Sequence, residues 1–356
     1  MSQRALDLAA KGVGQVSPSP LVGCVIVSSQ GDIVGEGFYK YQDVTHAEVL
    51  ALNQAGERAE GGTAYVSLEP HSHQGRTRPC TDALINAGIK KVVCPIEDPN
   101  PLVSGKGFAK LREQGIEVIT GILKKDAERL NEKFIHWHQT GRPFVHLKMA
   151  ISLDGRISLN KKVSTPISGK ESLEMVHNLR YENDAILVGG NTAVIDNPSL
   201  TDRSGKNRNH QLVRIILDNS LQIADSSNLV NSTHISPTII FSKSENTKKI
   251  ELLRAKGVDL ISTDSRNLIN VLNILGERDI QGVLVEGGAE IAGSFVDKKL
   301  VDKFTFLIAP IIIGGEEAPS PIGGLGVNQL TKSTKLEDLK IKRLGSDIEI
   351  TCYPKR

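Results

Sequence analysis

Three residues of metal-binding type and one carboxylate fall in a short span: His46 and Glu48 in Thr45-His46-Ala47-Glu48, then His71 and Cys80 bounding His71-Ser72-His73-Gln74-Gly75-Arg76-Thr77-Arg78-Pro79-Cys80. A zinc ion that activates water needs three protein donors, one open position and a nearby carboxylate, not itself a ligand, to move protons. Hydrolysis is the chemistry that His46, His71 and Cys80 as donors and Glu48 as proton carrier would serve. Taken singly, each residue has another reading: His46 as a capping or turn histidine, Cys80 as a small buried thiol, His71 and His73 as exposed loop histidines. One geometric condition applies. Residues i and i+2 do not share a helix face, so His46 and Glu48 converge only if His46 stands at the very start of a helix aimed at the metal.

The second half of the chain offers different chemistry. Glu286-Gly287-Gly288-Ala289-Glu290-Ile291 sits where a strand passes into a helix. Glycine permits close backbone approach there, and a helix N-terminus favours the negative charge of a phosphate. The glycines do not follow the GxGxxG spacing of a Rossmann turn, and Gly-Gly is also ordinary structural punctuation. Lys148, in an alternating strand shortly before Asp154-Gly155-Arg156, could place a cation near a substrate or simply be an exposed strand lysine. Arg180 and Arg203 could hold a phosphate or pair with surface acids.

Positioning these residues requires strands alternating with helices. Apolar spacing at Ala5, Leu6, Leu8 and Ala9 predicts an opening helix, and 21–27 and 33–38 read as adjacent strands of a hairpin. His46 starts a helix through Leu52; the strand 63–68 delivers Glu69-Pro70-His71. A helix over 81–87, a buried strand at 91–95, a helix over 108–114 and a strand at 116–120 follow. Ala127, Leu130, Phe134 and Trp137 mark one face of a single helix that ends at Gly141-Arg142-Pro143. A domain boundary is expected there, giving 1–143 and 144–356. The second domain reads as strands at 144–150, 185–188, 213–217, 238–241, 282–286 and 304–313, with helices over 248–256 and 267–275. Alternating strands and helices imply layered α/β domains with sites at the C-terminal ends of strands.

The chain has 356 residues, enough for two domains that each bury a full core. Lys and Arg number 43 against 41 acidic residues, a net charge of +2 that gives no electrostatic reason to expect nucleic acid or an anionic membrane as partner. Four scattered cysteines make no disulfide scaffold and leave Cys80 available as a thiolate. The longest apolar run, Phe306 to Ile313, contains Pro310 and falls far short of the roughly 18 residues that span a bilayer. With no charged-then-apolar leader at the start, the cytoplasm is the expected compartment.

Together these residues resemble the bifunctional riboflavin-biosynthesis deaminase/reductase family. The carriers are Pro20 to Val27, His46-Ala-Glu48, Leu68-Glu-Pro70, Ser72-His73, Gly75-Arg-Thr77, Pro79-Cys80 and Asp98-Pro-Asn-Pro101. In the second domain they are Lys148, Ser152-Leu-Asp-Gly-Arg156, Asp184 to Gly189, Thr192, Asp196-Asn-Pro198, Leu200-Thr201 with Arg203, and Val285-Glu-Gly287. The resemblance implies a cytidine-deaminase-like three-layer domain followed by a dihydrofolate-reductase-like α/β domain. It implies zinc-dependent hydrolytic deamination of 2,5-diamino-6-(5-phosphoribosylamino)pyrimidin-4-one, then NADPH reduction of the ribosyl group to a ribityl chain. A reductase whose first domain serves only in dimerisation or ligand binding is the alternative. A homo-oligomer, dimer or tetramer, is expected.

Carried over by position, the resemblance makes His46 and Cys80 zinc ligands and Glu48 the proton shuttle. Lys148, Ser164, Arg180, Leu200, Arg203 and Glu286 fall where the family holds its phosphoribosyl substrate. Ala150, Thr192, Asp196, Asn219 and the turn Gly288, Ala289, Glu290, Ile291, Ala292, Gly293 and Ser294 fall where it holds NADPH. Three positions depart from the family pattern. Its His-Pro-Asn-Pro is Ser17-Pro18-Ser19-Pro20, its first zinc Cys is His71, and its Trp two residues beyond Ser164 is Pro166. His71 is taken as the third ligand, expected to bind zinc more weakly and with steeper acid sensitivity than a Cys.

Overall fold

The computed structural model describes residues 1–41, 44–74, 78–163 and 165–355. Two compact units make up the chain. One comprises Met1–Gly141 with Asn207–Asn209, the other Arg142–Lys206 with His210–Arg356. The first unit thus ends two residues before the position the sequence suggests, and it recruits a short segment from far along the chain.

The first unit runs α1 (Ser2–Ala10), β1 (Gly23–Val27), β2 (Ile33–Phe38), α2 (Ala47–Ala55), β3 (Thr63–Val66), α3 (Cys80–Asn86), β4 (Lys91–Cys94), α4 (Lys106–Glu113), β5 (Glu117–Thr120), α5 (Lys124–Leu130) and α6 (Glu132–Thr140). Its strands order as β2-β1-β3-β4-β5, β1 antiparallel to both neighbours and β3, β4 and β5 parallel. Alternation sends Cys24, Ile26, Ala64 and Val66 to the face covered by α2, α3 and α4, and Val25, Val27 and Tyr65 to the face covered by α1. Helices on both faces make three layers.

Small residues set how closely α2 lies on the sheet. A Cβ on Gly35 would stand 2.0 Å from Ala51 O, and one on Gly37 would stand 2.3 Å from Ala47 O. With Ala47, Ala51 and Ala55 on the facing side, the helix seats directly on β2, and its first turn is held rigidly. Gly37→Ala is therefore expected to cost about 1–3 kcal/mol by overpacking. A thermal midpoint equal to wild type would show that the helix can shift freely.

The single helix expected across 127–137 is two, divided at Asn131. That buried side chain accepts a hydrogen bond from Leu21 N (2.8 Å) and donates to Leu21 O (3.0 Å), so a partner remote in sequence ends one helix and starts the next.

The second unit runs β6 (Phe144–Ser152), α7 (Lys170–Glu182), β7 (Ala185–Gly189), α8 (Gly190–Ile195), β8 (Val213–Leu217), α9 (Asn228–Asn231), β9 (Thr238–Ser242), α10 (Thr247–Ala255), β10 (Asp259–Ser262), α11 (Leu268–Gly276), β11 (Gly282–Val285), α12 (Ala289–Asp297), β12 (Lys303–Ala309), β13 (Leu336–Leu344) and β14 (Asp347–Pro354). The sheet order is β10-β9-β8-β7-β11-β6-β12-β14-β13, parallel from β10 to β12 and antiparallel over the last hairpin. Val145, Leu147, Leu187, Ile215 and Val285 pack under α11 and α12; Ile186, Val188, Ile216 and Ile240 pack under α8 to α10. The parallel core brings the C-terminal ends of β6, β7, β8 and β11 to one edge. Chain direction across the sheet reverses there, the place where such sheets bind ligands.

Helices α7, α8 and α9, strand β10 and the β13–β14 hairpin are additional to the sequence reading, and β12 stops at Ala309 because Pro310 cannot donate to the ladder.

Candidate active sites

In the first unit the geometric condition on His46 is met. It is the N-cap of α2, with extended φ −70° and ψ 151°, and Glu48 lies in the first helical turn, 2 % exposed. Cys80, fully buried, opens α3 after the N-cap Pro79, and His71 leaves the loop that follows β3. The candidate ligand atoms of His46, His71 and Cys80 all lie within 4.8 Å of one another. The His46 and His71 rings are 4.5 Å apart, and His73, exposed, stacks edge-on to His71 at 5.4 Å.

Two helix starts and one strand end therefore converge, and their electrostatics suit a cation. Burial, with His46 and His73 nearby, lowers the pKa of His71 to about 4, outweighing the opposing pull of Asp82. The ring is neutral, as a metal ligand must be. Burial, the charge of Glu48 and a hydrogen bond to it raise the Cys80 thiol well above its ordinary range. Glu48 Oε2 is itself buried with no hydrogen-bond partner among the described residues, as is Oγ1 of Thr81, the residue after Cys80. Two imidazoles, that of His71 held neutral, a thiol and an unsatisfied carboxylate oxygen fit a divalent zinc with a proton carrier at its side.

The His71 loop is braced by Glu69, which sequence reasoning did not single out. Its buried carboxylate accepts from the backbone N–H groups of Asp98 (3.1 Å), Gly105 (2.9 Å), Gly107 (2.9 Å) and Phe108 (3.3 Å). A Cβ on Gly107 would stand 2.0 Å from Pro70 O, so the α4 start presses directly on the residue before His71. A sequence signal that could have found this brace is Glu69-Pro70 just before His71, with Gly105-Lys106-Gly107 allowing the close approach. Thr81 N closes the loop by donating to His71 O (3.3 Å). At the departure in the Ser-Pro-Ser-Pro segment, the Ser19 hydroxyl lies 3.4 Å from Tyr39 OH, and the Tyr39 ring is 5.4 Å from His46. Gly75, Arg76 and Thr77 of the resembling motif lie outside the described residues.

In the second unit Glu286, just beyond β11, is the hub. Arg180 on α7 donates to it twice, Nε to Oε1 at 2.8 Å and Nη2 to Oε2 at 3.1 Å, and Lys148 Nζ on β6 stands 3.5 Å from Oε2. Burial alone would raise the Glu286 pKa; the two cations outweigh it and hold the carboxylate at about 2. Arg180 also donates through Nη1 to Thr201 O (3.1 Å), next to buried Leu200 and two residues before exposed Arg203. Lys148, Arg180, Leu200 and Glu286 are thus linked through Glu286 and the Thr201 carbonyl, with Arg203 at the margin. Ser164 lies outside the described residues, and Pro166 is exposed.

The residues expected at NADPH divide into two groups. Gly288 is the N-cap of α12, so no side chain caps the amides of its first turn, near Ala289 and Glu290, and such a start can take an anion; a Cβ on Gly288 would stand 3.8 Å from Thr192 Oγ1 on α8. Half-buried Ala150 lies near the end of β6, and Asp196 ends α8, exposed. The other residues also make contacts within the fold. Ile291 fills the space over Gly189 and Gly287, Ala292 is in the core, and a Cβ on Gly293 would meet the Gly323 backbone at 2.3 Å. Ser294 Oγ is spent on Glu290 O (2.8 Å). Asn219 holds loops together, donating to Asp264 Oδ1 and accepting from Ser265 N, both at 2.8 Å. The uncapped helix start fits a dinucleotide phosphate.

Residues 1–96 match the cytidine and deoxycytidylate deaminase zinc-binding region, and residues 143–350 match the RibD C-terminal domain. The riboflavin biosynthesis protein RibD of Aquifex aeolicus is 45% identical over 97% of this chain and 95% of its own. RibD of Acinetobacter baumannii superposes with a TM-score of 0.90 at 34% identity, covering 100% of this chain and 98% of that one. The diaminohydroxyphosphoribosylaminopyrimidine deaminase/5-amino-6-(5-phosphoribosylamino)uracil reductase of Thermotoga maritima superposes with a TM-score of 0.88 at 35% identity, covering 99% and 97%. Because a deaminase region is matched as well as the reductase domain, the two-activity reading stands over the reductase-only one. The chain belongs to the RibD family, the bifunctional deaminase and reductase of riboflavin biosynthesis, with zinc and NADPH as cofactors.

Proposed function

We propose that His46, His71 and Cys80 hold the zinc of the deaminase half and that Glu48 is its proton carrier, acting on the phosphoribosylated diaminopyrimidinone. The observation that carries the assignment is the convergence of three donors within 4.8 Å beside a buried carboxylate with one unpartnered oxygen. Zinc held there supplies an activated water. Glu48 takes up the proton that water loses and delivers it to the amine that leaves as ammonia, so one C–N bond breaks as one C–O bond forms. Zinc content and deaminase turnover of Glu48→Gln, argued below, test it.

In the reductase half, Arg203 and Arg180 face the substrate phosphate side, Lys148, Leu200 and Glu286 hold the ribosyl chain, and Ser164 belongs with them by sequence position. Glu286, ionised by its two cations, accepts hydrogen bonds from substrate hydroxyls. NADPH supplies the hydride when bound, with Ala150, Thr192, Asp196, Asn219 and the turn from Gly288 to Ser294 framing it. Arg203→Ala is expected to raise the reductase KM about tenfold with kcat nearly unchanged, since a lost phosphate contact weakens substrate and transition state alike. Arg180→Ala should act more strongly, because it also leaves Glu286 buried with one fewer cation. Unchanged KM in both variants would place the phosphate elsewhere.

Assembly belongs to the same reading. Leu339, Ile341 and Ile348 are exposed apolar residues of the edge hairpin β13–β14, a surface that a second copy would cover. Ile341→Asp should lower the mass seen by light scattering; an unchanged mass removes this face. No described helix is long and apolar enough to cross a membrane. The four cysteines are free and buried, as suits a reducing compartment; a cytoplasmic location is proposed on that basis, and cell fractionation tests it, with recovery outside the cytosol overturning it.

A further inference from the structure

The ties that hold the segment from Asp196 to Arg203, which brings Leu200 and Arg203 to the reductase site, include four made by side chains or backbone outside it. Asn228 donates to Asn197 through its backbone N (2.8 Å) and through Nδ2 (2.7 Å). Fully buried Arg214 donates to Ser199 O (3.2 Å), and Arg180 to Thr201 O (3.1 Å). The fourth tie is at the end that matters for the phosphate: Arg203 N donates to His177 Nδ1 at 3.3 Å. Asn197 and Leu200 hold φ of 39° and 48°, a region disfavoured for residues with a Cβ, so the ties impose the shape of the segment. Three of the ties are made by guanidinium or amide groups that keep their donors at any cellular pH. The fourth rests on an imidazole nitrogen that turns from acceptor to donor when protonated.

We infer that His177 is a positioning residue of the reductase, whose unprotonated Nδ1 holds the Arg203 backbone and thereby sets the Arg203 guanidinium toward the substrate phosphate. The inference rests on the assignment of Arg203 to that phosphate. His177 and Arg180 are three residues apart on α7 and share a face. The charged groups around the ring are Arg180 on the same helix, Asp202 and Arg203 on the tied segment, and Glu286 beyond β11. Burial, then Arg180 and Arg203, lower its pKa below 6.5 against the opposing pull of Asp202 and Glu286. The acceptor is therefore present above the depressed pKa, and the tie is lost as pH falls through it. Protonation would set two N–H donors face to face and release the Arg203 backbone from His177 while the other three ties remain, so substrate affinity falls and the chemical step does not.

The test is steady-state reduction of 5-amino-6-(5-phosphoribosylamino)uracil by full-length His177→Leu, His177→Asn and Arg203→Ala. The Asn carbonyl oxygen takes the place of Nδ1 and cannot be protonated in this range. His177→Leu is expected to raise KM about fivefold near neutral pH, the effect of one lost hydrogen bond, with kcat little changed; His177→Asn should keep the wild-type KM. Acidification should raise KM more in wild type than in His177→Asn, titration of the substrate phosphate being common to both. A normal KM in His177→Leu, or coincident pH profiles for wild type and His177→Asn, overturns the inference when Arg203→Ala still raises KM. If Arg203→Ala also leaves KM unchanged, the phosphate assignment fails and the inference with it. Should His177→Leu not fold, the comparison of the two pH profiles decides.

Discussion

Glu48→Gln is expected to lower deaminase turnover by about 10²- to 10⁴-fold, the span of a positioned acid/base, while NADPH oxidation with the deaminated substrate proceeds at the wild-type rate. The amide has the shape of the carboxylate and can still hydrogen-bond, so α2 should stay seated on the Gly35 and Gly37 surface. What it cannot do is take up a proton. Glu48 is buried with Oε2 unpartnered, so no other described side chain bonds that oxygen and substitutes for it there. Lys148, Arg180 and Glu286 belong to the other compact unit and have their own network, so their chemistry does not depend on Glu48. Zinc content should remain near wild type, since Glu48 is not a donor of the three-ligand set. Loss of both half-reactions in a folded Glu48→Gln protein would sink the assignment of two sites, and undiminished deamination would sink the role of Glu48.

The donors proposed for the deaminase site were legible because metal chemistry restricts residue types severely and because each sits near the end of an element that the apolar pattern reveals. His46 precedes a helix of alanines, Cys80 opens one, and His71 follows a β-branched strand. What holds them was less legible. Glu69 acts through four backbone groups in a segment roughly thirty to forty residues away, and such contacts leave no periodic mark. Asn131 ends a helix only because Leu21 presents both backbone groups to it, a tertiary override of a good helical pattern.

In the reductase half, the glycines of the 286–293 turn announced a close approach without saying by what. Gly288 leaves the start of α12 without a side-chain cap, whereas Gly293 makes room for the Gly323 backbone. Helix α7 left a fainter trace: Ser172, Val176 and Leu179 bury at helical spacing, but Leu173 is exposed and the apolar face is short. Its cost to the sequence reading was His177, whose value lies in a contact with the backbone of Arg203 rather than in its own type.

The second large effect concerns His71, the imidazole at the position where the family resemblance implies a thiolate. Wild type, His71→Cys and His71→Ala are expected to differ in zinc retained after dialysis across about pH 5.5 to 8, because metal binding must displace whatever protons the donors hold. His71, lowered to about 4 chiefly by burial, carries no proton to displace anywhere in that window. Cys80, raised well above its ordinary range, carries one throughout. Wild-type zinc binding therefore releases one proton from this pair, and affinity should fall about tenfold per pH unit. Burial acts on a thiol at position 71 as it does on Cys80, so His71→Cys releases two protons, and its affinity should fall about a hundredfold per unit.

The steeper acid sensitivity thus belongs to the Cys variant, the reverse of the expectation from ligand types alone, because the protein environment has already removed the proton from the imidazole. Thiolate is the more strongly held donor, so His71→Cys should retain more zinc at the alkaline end and lose that advantage as the medium is acidified. His71→Ala, left with two protein donors, should retain least at every pH. Equal retention by all three proteins would mean that His71 is not a ligand. A steeper acid loss in wild type than in His71→Cys would mean that His71 titrates inside the window, and that the buried, neutral ring is not the state that meets the metal.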